Sequence, residues 1–419
     1  MLQVAVARLA TLWPAARIDV LTDSPPDLAR YCPRASPLPR GGCKCWTEAQ
    51  VLLGKYHQLL PNWVSVRLST LKRQLGAHWP SLLALLLELR LRVRDGSGRL
   101  SELRAFLAAL KNTDLMVVCG AGGFADSCRQ WNLSILGTIE SAIRRGIPVA
   151  MFGQSMGPLS DALTLSLAKK VLPKVNVITL RGTSGGLDLL KSIGVPPQLI
   201  STTGDEAVEL AYANRPDTPG KAIGINLRVA SYAEVKENVI EKLRVMLQDF
   251  ARKHDAGLVP IPIAFHECAN DNQTIRQLLE GFDDGSDGGL FLDTPDKLVR
   301  QTARCRIVVT GAYHAAVFAL GQGIPAVCLT NSSYYLAKFE GLKDLFGAGC
   351  AIVSLSAPGW PDTLLTAMEA AWTSAEGVRA TLLNSATRQI EDGQRAYRRL
   401  HSSVTSESGN AQLVFSRAT

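Results

Sequence analysis

Residues 114–158 read DLMVVCGAGGFADSCRQWNLSILGTIESAIRRGIPVAMFGQSMGP. Asp114–Cys119 is a short apolar run that stops at Gly120, and Pro148–Phe152 repeats the pattern and stops at Gly153. Between them, Leu133–Arg145 spaces its apolar residues as a helix does. Strand, glycine turn, helix and strand make the repeating unit of a parallel sheet covered on both faces. Further on, Ala162–Leu172 reads as helix, Val175–Thr179 as strand and Ser184–Ile193 as helix. Toward the N-terminus, Gln3–Leu12 reads as helix and Arg17–Leu21 as strand. Residues 33–46, rich in Pro, Gly and Cys, read as a loop, and 47–110 carry mostly helical periodicity.

The segment Tyr212–Lys221, YANRPDTPGK, has two prolines, a glycine and little apolar content, and reads as an interdomain linker. The pattern then recurs. Strands are expected at Ala222–Leu227, Leu258–Ile263, Arg306–Thr310, Ala326–Thr330 and Ala351–Leu355. Helices are expected at Glu234–Lys253, Gln273–Glu280, Pro295–Ala303 and Tyr313–Gly321. Two more helices are expected over 361–374 and 377–400. The expectation is an α/β protein of two Rossmann-like, doubly wound domains facing across a cleft. The first covers 1–211, the linker 212–221 and the second 222–375; a C-terminal helix, 376–401, crosses back, and 402–419 form a flexible tail. Ligands of such sheets bind beyond the C-terminal ends of the strands, so residues just after strands carry the functional weight.

The chain has 419 residues, 47% hydrophobic and 20% charged, with a mean hydropathy of +0.09. That composition is globular and excludes a disordered or fibrous chain. No apolar run reaches the roughly 18 residues that span a bilayer; Leu82–Val93 is interrupted by Glu88, Arg90 and Arg92. Arg8 breaks the apolar start, which therefore reads as a helix followed by a strand and not as a signal peptide. Nine scattered cysteines, several inside apolar runs, fit buried thiols of a reducing compartment, so a cytoplasmic protein is expected. No cysteine pair has zinc spacing and HExxH is absent, so no metal site is expected. The net charge of +8 resides in residues 1–110, which hold 15 Lys/Arg against 7 Asp/Glu. Such an end attracts phosphates or an anionic membrane surface. Its basic residues lack the interleaved aromatics of RNA-binding patterns, so no nucleic acid partner is expected.

Six stretches deserve weight. Gly120-Ala-Gly-Gly-Phe124 offers backbone N–H groups to a ligand at Gly122 and Gly123, without the spacing of a dinucleotide site. Gly153-Gln-Ser-Met-Gly-Pro158 presents Gln154 to sugar hydroxyls. Arg228 ends the first strand of the second domain with a planar fork that suits a carboxylate or phosphate. Thr310-Gly-Ala-Tyr313-His314 sets a histidine in the first turn of an apolar helix. The helix dipole lowers its pKa there and a bound phosphate raises it. Pro262–Asp271 is a polar loop whose His266 and Asp271 can meet a sugar or phosphate. Tyr334-Tyr335-Leu-Ala-Lys338 places a lysine beside two aromatic rings. For each, a tight turn, a solvated loop or a capped strand end is the ordinary alternative.

Taken in order, these stretches resemble the polysaccharide pyruvyl transferase family over roughly residues 112–345. The family pattern has a triple-glycine-type turn, a G-x-G-x-GP turn and an arginine-acid-x-x-Ser stretch followed by a glycine. A strand ending in arginine, a polar loop after a proline-containing strand, and a strand leading to a histidine helix with a downstream Gly-x-Pro complete it. Here these fall on Gly120–Phe124, Gly153–Pro158, Arg181–Ser184 through Gly194, Gly224–Arg228, Pro262–Asp271, and Gly311–His314 with Gly323–Pro325. Gly182 stands where the family has an acid, and Tyr313 where it usually has leucine. The resemblance implies a GT-B-like arrangement and transfer of a pyruvyl ketal from phosphoenolpyruvate to a sugar of a polysaccharide or lipid-linked glycan precursor. No metal or organic cofactor is implied. Arg228 falls on the family arginine implicated in phosphoenolpyruvate binding and His314 on the family histidine, and these two are the implied catalytic residues. Lys338, Tyr313, His266, Asp271 and Arg181 are the expected companions, and the glycine turns with Gln154 the expected acceptor side. A lipid-linked acceptor would suit peripheral contact with the inner membrane face. A GT-B glycosyltransferase using a nucleotide sugar, or a non-catalytic sugar-binding relative, are the alternatives.

Overall fold

The computed structural model describes residues 1–48, 51, 62–94, 96–120, 122–183, 185–228, 237–266 and 269–415. The chain forms two compact units. One is Met1–Leu180 with Gly185–Ser201 and Gln394–Thr419; the other is Arg181–Ser184 with Thr202–Gly393.

The first unit opens with α1 (Leu2–Leu12), β1 (Ile18–Thr22), α2 (Pro25–Tyr31), β2 (Ala35–Pro39) and α3 (Arg40–Thr47). Residues 33–46, expected as a loop, thus hold a strand and a helix: β2 pairs in parallel with β1, from Ile18↔Ala35 to Thr22↔Pro39. The glycines that suggested a turn serve close packing, for a Cβ on Gly42 would stand 2.1 Å from the Glu102 carbonyl oxygen. Three helices follow, α4 (Asn62–His78), α5 (Pro80–Arg94) and α6 (Gly96–Lys111). The main sheet runs β3 (Met116–Cys119), β4 (Val149–Gln154), β5 (Val177–Leu180) and β6 (Ile200–Thr202), in that order, with β3, β4 and β5 parallel. Side chains alternate across it. Val118, Met151 and Ile178 face a core shared with α7 (Arg129–Ile143) and α8 (Ala162–Val171). Val117, Ala150, Phe152 and Val177 face a second core with Ala5 of α1 and with Tyr397 and Leu400.

In the second unit, α10 (Ala207–Ala213) follows α9 (Gly186–Ser192) of the first, and a five-stranded sheet begins. Its strands are β7 (Ala222–Asn226), β8 (Leu258–Pro260), β11 (Cys305–Thr310), β12 (Ala326–Thr330) and β13 (Cys350–Ser354). The order is β13-β12-β11-β7-β8, parallel throughout. A short ribbon, β9 (Phe265–His266) and β10 (Ala269–Asn270), lies outside it. Helices α11 (Glu237–Lys253), α12 (Asp271–Leu279), α13 (Pro295–Thr302), α14 (Tyr313–Gly321) and α15 (Ser333–Phe346) connect the strands. Ile223, Ile225, Ile307 and Val309 pack against Leu243, Leu247 and Phe250 of α11. This is the flavodoxin-like order, whose connections reverse direction between its first and third strands, here β7 and β11.

Two boundaries differ from expectation. The expected linker 212–221 lies inside the second unit. There Gly220 donates to the Cys305 carbonyl at 3.1 Å and has no room for a Cβ beside the Arg304 carbonyl. The two expected C-terminal helices and the expected flexible tail as far as Phe415 form one helix, α16 (Trp360–Phe415), of 56 residues, and the rest of that tail lies outside the described residues. No proline interrupts it after Pro361, and its first part packs in the second unit's core while Tyr397 and Leu400 pack in the first's.

Candidate active site

The crevice of a doubly wound sheet opens where its connections reverse, so the ends of β7 and β11 are the place to build from. Their last residues pair, Asn226 with Thr310. Beyond them the Gly311 N–H donates to the Asn226 carbonyl at 2.9 Å, and a Cβ on Gly311 would come within 3.0 Å of the Arg228 nitrogen. Glycine at 311 therefore lets the two strand ends close on each other.

Arg228 is buried and makes a two-pronged pair with Asp271. Its Nε donates to Oδ1 at 2.6 Å and its Nη2 to Oδ2 at 2.8 Å. Asp271 opens α12, and its Oδ2 also accepts from Asn226 Nδ2, Ile263 N and Ala264 N at 2.8, 2.8 and 3.0 Å. The carboxylate is thus taken up by the protein. Asp271, expected to touch substrate, instead fixes the orientation of Arg228. Its partner in that expectation, His266, lies in β9, and its side chain is outside the described residues.

The β11 end leads through Gly311 and Ala312 into α14. The Ala312 N–H donates to the Thr310 hydroxyl at 2.9 Å, which sets the turn and brings Tyr313 and His314 into the first helical positions. His314 Nε2 stands 3.7 Å from Asp205 Oδ2, and Arg181 Nη1 stands 3.3 Å from the same oxygen. The other Asp205 oxygen accepts from Ala207 N at 2.8 Å. Burial opposes charge on Asp205, but the Arg181 guanidinium and His314 hold its carboxyl below the usual range. Burial pushes the His314 imidazole down to about 4; Asp205 works against that, and Arg181 and Lys338 add to it. The ring is packed on its protein side yet keeps 34% of its side-chain surface open, and that opening limits the depression. His314 is accordingly neutral near pH 7.

Tyr313 is buried, with Arg181 Cζ 5.8 Å and Lys338 Nζ 5.9 Å from its ring centroid. Burial and Asp205 raise its phenol, which stays protonated and so can both donate and accept a hydrogen bond. Lys338 donates to the Tyr334 hydroxyl and lies 3.9 Å above that ring. Arg181 belongs to this unit because residues 181–183 pack on α15. Thr183 donates to Asp344, and a Cβ on Gly182 would lie 3.1 Å from Gly341 Cα. That contact accounts for glycine where a side chain would otherwise stand. Arg181, Tyr313, His314 and Lys338 are thus brought together around Asp205, which sequence reasoning passed over. Its signal was Gly204-Asp205, one residue beyond the three-residue β6, with Gly204 at φ 76°. Among the described residues, no group of three or more His, Cys, Asp or Glu is placed to hold a metal.

The model of the polysaccharide pyruvyl transferase family matches residues 11–333. The chain belongs to this family. It is a transferase of polysaccharide biosynthesis. A comparison with curated proteins found no match. Solved structures similar to this chain include the calicheamicin glycosyltransferase CalG4, at 13% identity over 97% of this chain and 94% of that one, with a TM-score of 0.46. A UDP-N-acetylglucosamine 2-epimerase is similar at 13% over 76% and 80%, TM-score 0.47. An α,α-trehalose 6-phosphate synthase from Burkholderia multivorans is similar at 12% over 90% and 85%, TM-score 0.48.

The remaining expected residues lie in the first unit. Gln154, expected on a sugar, is fully buried, and its amide donates to the Val118 and Phe152 carbonyls at 3.0 and 2.8 Å. It ties β4 to β3. Gly123 packs on Cys128 and Trp131. The two glycine-bearing turns are laced together, with Gly157 N donating to the Phe124 carbonyl at 2.8 Å and Asp126 N to the Pro158 carbonyl at 3.1 Å. Gly122 belongs to the first of them.

Proposed function

We propose that this transferase moves a pyruvyl group from phosphoenolpyruvate to a sugar of a polysaccharide or lipid-linked glycan precursor, forming a ketal and releasing phosphate. The observation that carries the reading is the Arg181–Asp205–His314–Lys338 cluster at the end of β11. Two cations, one carboxylate and a neutral imidazole leave a net positive site, which suits an anion. Phosphoenolpyruvate carries two anionic ends. Lys338 and Arg181 attract one, with the first-turn amides of α14 adding a positive dipole end. Arg228, fixed by Asp271, adds charge at the neighbouring strand end.

The neutral His314 accepts the proton of an attacking sugar hydroxyl. The imidazolium so formed delivers that proton to the methylene carbon as the sugar oxygen bonds to C2, and the substrate carboxylate offsets the positive charge that develops there. A second hydroxyl then bonds to C2 while the C2–O bond to phosphate breaks; its proton is taken by His314 and passes to the departing group, which leaves as inorganic phosphate. Asp205 acts as a positioning residue; a 3.7 Å contact can tighten to a hydrogen bond once substrate is bound. The scattered thiols support a cytoplasmic setting, and the reaction as written needs no cofactor.

Phosphate release from phosphoenolpyruvate, measured with a panel of free and lipid-linked sugars, tests the reading. Acceptor-dependent release is expected, with His314→Ala lowering kcat by about 100-fold or more and Arg228→Lys raising KM for phosphoenolpyruvate. Consumption of a nucleotide sugar with no phosphoenolpyruvate turnover would replace the reading with glycosyl transfer.

A further inference from the structure

Helix α5 carries two apolar faces. Leu83, Leu87 and Leu91 are buried in the core of the first unit. Leu82, Leu85, Leu86, Leu89 and Val93 lie on the other side, each between 44% and 87% exposed. Their spacing of mostly three and four residues sets them in one stripe along the helix. Trp79, just before the helix, and Leu71 on α4 extend the apolar exposure. Isolated exposed leucines need no explanation, but a contiguous stripe marks a surface that meets something other than water.

The surrounding charge selects the partner. Residues 62–111 hold nine Lys/Arg and three Asp/Glu. Glu88, the one acid of α5, is bridged by Arg104 at 2.7 Å and Arg92 at 3.7 Å. Arg67, Arg92, Arg99 and Arg104 are exposed. We propose that the layer α4–α6 is a docking surface for an anionic lipid bilayer. The leucine stripe and Trp79 sink into the interface, and the arginines reach the headgroup phosphates. Two copies of this face would bring like charges together, whereas lipid phosphates supply the opposite sign. No helix among the described residues is long and apolar enough to cross a membrane, so the contact is one that lies on the surface. This inference stands apart from the reaction, since none of these residues belongs to the candidate active site.

Co-sedimentation of the full chain with vesicles tests it, using phosphatidylcholine alone and phosphatidylcholine with phosphatidylglycerol, at low and high salt. The comparison is the variant L85Q/L89Q/V93Q, with circular dichroism and thermal unfolding to establish that it folds. Partitioning onto anionic vesicles is expected to exceed that onto neutral ones by about tenfold or more and to fall with salt. The variant is expected to lose about tenfold or more. Absence of binding to anionic vesicles overturns the proposal. So does binding that the variant keeps in full, which would be charge alone. A dimer in sedimentation velocity that the variant dissolves would assign the stripe to a second copy instead.

Discussion

Asp205 holds one oxygen near both a guanidinium and an imidazole, and it is the neighbour of His314 that favours the protonated ring. Asp205→Asn removes that support. The acid limb of the kcat/KM profile is expected to move to lower pH, and kcat to fall by about 10- to 100-fold with a smaller change in KM. An unmoved limb with unchanged kcat would remove Asp205 from the mechanism. The same histidine carries a stability signature. Its folded pKa is about 4 against the ordinary 6.5, so between those values the unfolded chain binds a proton that the folded one refuses. Stability is then fully present above about pH 6.5 and is lost as pH falls toward 4. His314→Gln is expected to flatten that part of the pH dependence in urea titrations. His314 and Lys338 stood out in the sequence because each lies downstream of a strand with chemistry that suits an anion, and Arg181 because it falls on the arginine stretch of the family pattern. Asp205 was not, because the strand before it is only three residues long. Gln154 was misread because a polar residue ending a strand can satisfy the sheet as readily as a ligand.

At the scale of elements, the Arg228–Asp271 pair joins the end of β7 to the start of α12. Asp271→Ala leaves a buried guanidinium without its carboxylate and is expected to cost about 3–5 kcal/mol in denaturant unfolding. Replacing both, Arg228→Met with Asp271→Leu, is expected to abolish activity and to recover only part of that loss, because Asn226 Nδ2 and the Ile263 and Ala264 amides still lose their acceptor; no recovery would mean that the pair carries stability of its own. The strands of the two main sheets, β6 excepted, were readable because a strand buried on both faces is apolar along its length. Residues 33–46 were unreadable for the opposite reason. Glycine signals a turn when only sequence is in view, and there it marks the approach of α3 to α6. Gly42→Ala sets a methyl against the Glu102 carbonyl and is expected to cost about 1–3 kcal/mol. A neutral result would mean that α3 shifts freely. The same lesson applies to Gly182 and Gly220, whose neighbours in space are distant in sequence or on another element.

For the whole molecule, chain order and unit membership part company. The chain passes between units at residues 180–185, 201–202 and 393–394. A single linker rich in proline and glycine was therefore the wrong signal, because composition records local backbone geometry and not which core a segment joins. Residues 181–184 show the consequence: they follow a strand of the first unit but deliver Arg181 to the second. Helix α16 does the reverse, packing Leu364 and Met368 in the second unit and Tyr397 in the first. Tyr397 stacks on Phe152 with centroids 3.7 Å apart and planes 11° from parallel, and Arg8 lies 5.2 Å above its ring. Tyr397→Ala removes one of the largest buried side chains of that face and is expected to cost the first unit about 3–5 kcal/mol. Because each unit has its own core, the loss is expected to be local. Hydrogen exchange should speed up at β3, β4 and β5 while β7 and β11 keep their protection. Equal loss of protection in both sheets would mean that the long helix makes the two cores unfold as one.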